Sequence, residues 1–121
     1  MTKTILVVDD SDSLREVVSI ALSEAGYKVL EARDGKDGLS KLNGSRIHLI
    51  ISDVNMPIMN GIDFVKNVKQ IPIYKFTPII MLTTENQKNL MDEGKKAGAK
   101  AWMIKPFKPD QILQAVSKLI T

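Results

Sequence analysis

Four apolar runs in this chain each stop at residues that can do chemistry. Val7-Val8 ends at Asp9-Asp10, Ile50-Ile51-Ser52 at Asp53, Met81-Leu82 at Thr83, and Met103-Ile104 at Lys105. If these ends converge, three carboxylates share a small volume, and at neutral pH they need a cation or must bind a proton. The donors are all hard oxygens. The chain has no cysteine, and its one histidine, His48, sits inside an apolar run and is expected to pack there. That set favours Mg²⁺, with Mn²⁺ as the substitute, over zinc. A carboxylate beside such an ion can attack phosphorus, and a hydroxyl (Thr83) and an ammonium (Lys105) can hold the phosphoryl oxygens. Plainer readings stand beside this one. Asp53 could simply turn the chain, since Asn55, Met56-Pro57 and Asn60-Gly61 follow it. Thr83 could cap a helix with Glu85 in its first turn, and Lys105 could be an exposed strand-end lysine.

Whether the four ends meet depends on the elements that carry them. Short apolar runs at residues 4–8, 28–31, 47–52, 78–82 and 101–104 read as strands, the third buried on both faces. Helical patterns alternate with them. The first has cap candidates in Ser11-Asp12-Ser13, with Ser13 and Glu16 as a capping box, and a stripe of Leu14, Val17, Val18, Ala21, Leu22 and Ala25 ended by Gly26. The second opens at Asp34-Gly35, runs to about Asn43-Gly44, turns Leu39 and Leu42 inward and contains Gly38, which should cost about 1 kcal/mol relative to Ala. The third covers 62–69 with Phe64, Val65 and Val68 inward, and 70–77 is irregular. The fourth, 85–97, is poor in large apolar residues. The last starts near Pro109, with Ile112, Leu113, Val116, Leu119 and Ile120 as its stripe. Strands and helices in alternation predict an α/β domain, a doubly wound five-stranded parallel sheet with five helices. In such a sheet, sites form beyond the carboxyl ends of the strands, where all four polar ends fall.

The chain's 121 residues suit one domain, residues 1–121, with 44% apolar content. The lack of cysteine excludes disulfides and thiolate metal sites. Net charge is +3 with the lysines scattered, so nucleic acid is not an expected partner. No apolar run is long enough to span a bilayer and no signal-peptide pattern opens the chain, so a cytoplasmic monomer with no membrane association is expected.

Five motifs then carry a resemblance over residues 4–120: VVDD at 7–10, SDVNMPIMNG at 52–61, MLTTE at 81–85, AGA at 97–99 and KPF at 105–107. In this order and spacing they resemble the receiver domain of bacterial two-component response regulators, and the length makes the chain look like a single-domain, CheY-type member. The resemblance implies a flavodoxin-like strand order of 2-1-3-4-5 and a phosphorylation-dependent signalling switch, not an enzyme acting on external substrates. It makes Asp53 the phosphoacceptor, served by a partner histidine kinase, and gives the Mg²⁺ to Asp10, Asp53 and the Asn55 backbone carbonyl, with Asp9 acting through water. Thr83 and Lys105 would bind phosphoryl oxygens, Lys105-Pro106 would be cis, and Trp102 would take the place of the family's aromatic switch. Asn55 and Glu85 would tune self-catalysed hydrolysis. Trp102 in place of Tyr or Phe, and Thr84 in place of a smaller residue, depart from the commonest pattern. The output surface would be the fourth helix, fifth strand and fifth helix, read by a downstream protein such as a flagellar motor switch component. A phosphorelay intermediate or phosphate sink is the alternative role, and a pseudo-receiver that binds constitutively a further one. A haloacid dehalogenase-like phosphohydrolase is disfavoured because Asn55 stands where that chemistry wants an acid.

Overall fold

The computed structural model describes residues 2–84 and 89–120. Its strands are β1 (Thr4–Val8), β2 (Lys28–Ala32), β3 (Leu49–Asp53), β4 (Ile79–Thr84) and β5 (Ala101–Lys105). Its helices are α1 (Asp12–Glu24), α2 (Gly35–Lys41), α3 (Gly61–Lys69), α4 (Met91–Ala97) and α5 (Pro109–Leu119). All strand pairs are parallel and the order is β2-β1-β3-β4-β5. The sheet is the α/β, doubly wound 2-1-3-4-5 sheet expected.

Alternation along the strands divides the core. Leu6, Val8, Ile50, Ile79 and Met81 point to one face with Phe64, Val65 and Val68 of α3. Ile5, Val7, Leu49, Ile51, Ile80 and Leu82 point to the other, against Val18 and Leu22 of α1 and Ile112 and Val116 of α5. Every residue of β3 is buried, as a central strand covered on both sides requires. A 3₁₀ turn at Pro72–Tyr74 interrupts the irregular segment after α3. There Tyr74 is buried, and its hydroxyl donates to the Ser45 carbonyl at 2.6 Å while accepting from Gly44 N–H at 3.1 Å.

Several boundaries differ from expectation. β3 starts at Leu49 and β4 and β5 run on through Thr84 and Lys105, because ladder pairing uses backbone groups and tolerates polar side chains at the edge. The cap of α1 is Ser11, whose Oγ accepts from Leu14 N–H at 3.3 Å, since Ser13 already lies within the helix. Val17 is 49% exposed. Neighbouring helix positions lie about 100° apart, so the face that buries Val18 and Leu22 turns Val17 outward. His48 precedes β3 and is half-buried, its Nδ1 accepting from Thr4 N–H at 2.9 Å. Gly38 of α2 has a packing reason: a Cβ there would lie 2.8 Å from Phe64 Cε1 and 3.2 Å from Val8 Cγ2.

Candidate functional site

β1 and β3 are neighbours, so parallel pairing brings their C-terminal ends together. Asp9 follows β1 directly and Asp53 is the last residue of β3; they are 1% and 4% exposed, whereas Asp10 faces solvent. Each of the three carboxylates offers an oxygen within 4.8 Å of the others. From the far end of the sheet, Lys105 closes the group, its Nζ 3.2 Å from Asp53 Oδ1 and 3.6 Å from Asp9 Oδ2. Thr83 lies on β4, one residue past the rung that pairs Asp53 with Leu82. It is fully buried, and its hydroxyl donates to the Thr84 carbonyl at a long 3.3 Å. Thr83 lies inside β4, and the first helical turn that it would cap, with Glu85, falls outside the described residues.

The electrostatics follow from burial. Desolvation first, and then the Asp9 charge, push the Asp53 carboxyl up against the opposing Lys105, to about 6. Asp9 is also raised by burial, against the Ser11 N–H, which its Oδ1 accepts at 2.9 Å, and against Lys105. Its other oxygen, Oδ2, is buried with no hydrogen-bond partner among the described residues, apart from the ion pair with Lys105. Two buried acids, one exposed acid and an orphaned carboxylate oxygen fit a hard divalent cation such as Mg²⁺, which would compensate the charge that one lysine cannot.

The model of the response regulator receiver domain matches residues 5–117. The chain belongs to that family. It is 43% identical over 112 residues to the chemotaxis protein CheY1 of Helicobacter pylori, covering 91% of this chain and 90% of the relative. To the chemotaxis protein CheY of Thermotoga maritima it is 35% identical over 121 residues, 98% of each. Among solved structures, the Vibrio cholerae chemotaxis protein CheY4 superposes with a TM-score of 0.94 at 47% identity, covering 99% of this chain and 100% of that one. As a receiver, the chain is a signalling protein of the two-component type.

The other expected receiver residues are positioned unevenly. Asn55 is exposed just past β3, on the rim of a cleft of about 240 Å³ that Asn60, Lys66, Leu90 and Glu93 also line. Trp102 stands on β5 opposite Met81, and its ring packs against Gly94 of α4 so closely that a Cβ at Gly94 would overlap it. Its indole Nε1 is buried without a hydrogen-bond partner among the described residues. Lys105-Pro106 is cis. Glu85 lies outside the described residues.

Sequence reasoning missed Arg15. Its Nη1 donates to the Asp9 carbonyl at 2.6 Å, while Nη2 and Nε pair with Asp12 and Glu31 at 2.6 and 3.1 Å. The guanidinium thereby ties the tip of β1 to α1 and β2. The one available signal was the i,i+3 spacing from Asp12. Gly61 was seen only as turn chemistry. It packs directly on the Asp53 carbonyl, and its N–H donates to the Val54 carbonyl at 2.7 Å, so a side chain there would displace the acid's own backbone.

Proposed function

We propose that Asp53 accepts a phosphoryl group from a histidine of a partner kinase, and that the resulting aspartyl phosphate switches the surface built by α4, β5 and α5. The observation that carries this is the Lys105 ammonium between two buried acids. It pairs with the Asp53 carboxylate at 3.2 Å, which puts a cation where the charge of a phosphoryl group on Asp53 would need one. An Asp53 oxygen attacks phosphorus, the new P–O bond forms as the P–N bond to the donor imidazole breaks, and the imidazole keeps the electron pair. Asp53 must be ionised to attack, and a group titrating near 6 is mostly ionised at neutral pH. Lys105 is then in reach of the oxygens that replace the carboxylate charge, and Thr83 exchanges its long bond to the Thr84 carbonyl for one to a phosphoryl oxygen. Asp10, Asp53 and the Asn55 carbonyl would hold Mg²⁺, with Asp9 acting through water. When bound, the ion supplies charge neutralisation and alignment for the transfer.

Hydrolysis reverses the bookkeeping of bonds: water attacks phosphorus and Asp53 leaves as carboxylate. Asn55 on the rim and Glu85 two residues past Thr83 are the residues assigned to tune that step. Movement of Thr83 toward the phosphoryl group favours one packing of Trp102 against α4, a shift between states already present rather than a new fold. The weak core contribution of α4, whose one buried residue is Gly94, suits a surface that rearranges. Likeness to three chemotaxis proteins supports a cytoplasmic role downstream of a chemotaxis-type kinase and upstream of a flagellar motor switch component.

A chemotaxis-type histidine kinase carrying labelled phosphate tests the reading. Label should pass to the wild-type chain in the presence of Mg²⁺ and not to Asp53→Ala. Transfer that is equal in the two chains contradicts it.

A further inference from the structure

The sheet has a second edge, opposite Asp53, where the five strands begin and the helices end. Lys3, Lys28, Arg46, Lys75 and Lys100 lie at or just before the strand starts. Among the described residues, Glu24 at the end of α1 is the acid found at that edge. Cations at helix C-termini, such as Lys41, Lys69 and Lys118, are accounted for by the helix dipole. Arg46 and Lys75 belong to loops, and no carboxylate among the described residues pairs with either. Between their two loops, 44–48 and 73–78, lies a cleft of about 440 Å³, within the size range of sites that hold an organic group. Its lining is apolar and basic without one acid: Ile47, Ile73, Phe76 and Pro78 alongside Arg46 and His48. Phe76 is 87% exposed and Ile73 64%, first and third among the exposed large apolar side chains of the described residues, with Ile58 at 78% between them. Lys75 Nζ sits 5.7 Å from the centre of the Phe76 ring.

We propose that this cleft docks an acidic protein segment carrying one large apolar anchor residue. The anchor enters the cleft against Ile73 and Phe76, and flanking carboxylates meet Arg46 and Lys75. His48 adds a donor: its Nδ1 accepts from Thr4 N–H, which fixes the proton of the neutral ring on Nε2. Burial holds that imidazole below its usual range, Lys3 and Arg46 add to the effect, and the hydrogen bond with Thr4 opposes it. A concave cleft selects a side chain rather than a lipid surface, which would call for a protruding apolar tip. A single exposed aromatic offers no succession of stacking platforms for nucleic acid. Since the site is at the opposite edge from Asp53, a partner held here leaves the phosphoryl site and the α4-β5-α5 surface open.

The test uses the unphosphorylated chain and amide NMR. The ligand is a short peptide with a central Leu-Phe pair flanked by glutamates, beside a lysine-flanked version, vesicles of phosphatidylglycerol and single-stranded oligothymidylate. The acidic peptide should shift amides of 44–48 and 73–77, with binding that weakens as salt rises. Kd should increase about tenfold or more in Arg46→Glu and in Phe76→Ala, as for loss of a central anchor or reversal of a facing charge. Both side chains are exposed, so the variants should keep the remaining spectrum, and the salt series on wild type stands without them. No shift at these loops, equal binding of the lysine-flanked peptide, or preferential binding of vesicles or oligothymidylate overturns the proposal.

Discussion

At the scale of single residues, burying Asp53 and Asp9 side by side carries a cost that depends on pH. A folded-state value near 6 against an ordinary 3.8 means the folded chain binds a proton more tightly than the unfolded one. Stability from this group is therefore present at low pH and is lost as pH rises from about 4 to about 6. His48, held low, works in the opposite sense in an overlapping range, because its folded form resists protonation. Comparing wild type with Asp53→Asn cancels the histidine. In chelator, the Asn variant should be more stable at pH 7 by an amount on the order of 2–3 kcal/mol, and the two should converge near pH 4. Urea melts across that range measure the gap, and parallel curves would show that Asp53 is not strained by its surroundings. Asp53, Asp9, Thr83 and Lys105 were legible because each ends an apolar run, a one-dimensional signal. Arg15 was not, since its target is a backbone carbonyl brought near by the turn after β1.

Among the elements, α4 and β5 are the pair whose relation matters most. The sequence shows α4 to be apolar-poor and places Trp102 on β5, but it cannot show that Gly94 exists to admit the indole. Contact between residues on separate elements leaves no spacing signature, and the same holds for Gly38 against Phe64. Both glycines look like propensity defects until the facing ring is seen. Gly94→Ala gains helix propensity of about 1 kcal/mol, yet its methyl group overlaps the Trp102 ring, and overpacking typically costs about 1–3 kcal/mol. We expect a net loss of stability and a red shift of Trp102 emission as the ring is driven toward solvent. The chain has one tryptophan, so fluorescence reads this position alone. Unchanged emission would mean that the ring is not held by α4.

For the molecule as a whole, the parallel sheet sorts charge by edge. Acids gather where strands end and helices begin; bases gather where strands begin. The fold class was legible from alternation of apolar runs and helical stripes, while the strand order came from family likeness, since periodicity does not say which strand neighbours which. The cleft between loops 44–48 and 73–78 had no sequence signal, because the segment after α3 reads only as irregular and its walls lie far apart along the chain. Intact mass reads the chemistry proposed for the acidic edge. Incubated with acetyl phosphate and Mg²⁺, the wild-type chain should gain one phosphoryl group, a gain that chelator present from the start prevents, that hydrolysis reverses with time and that borohydride reduction traces to Asp53. No gain in wild type, or an equal gain in Asp53→Ala, would contradict the account.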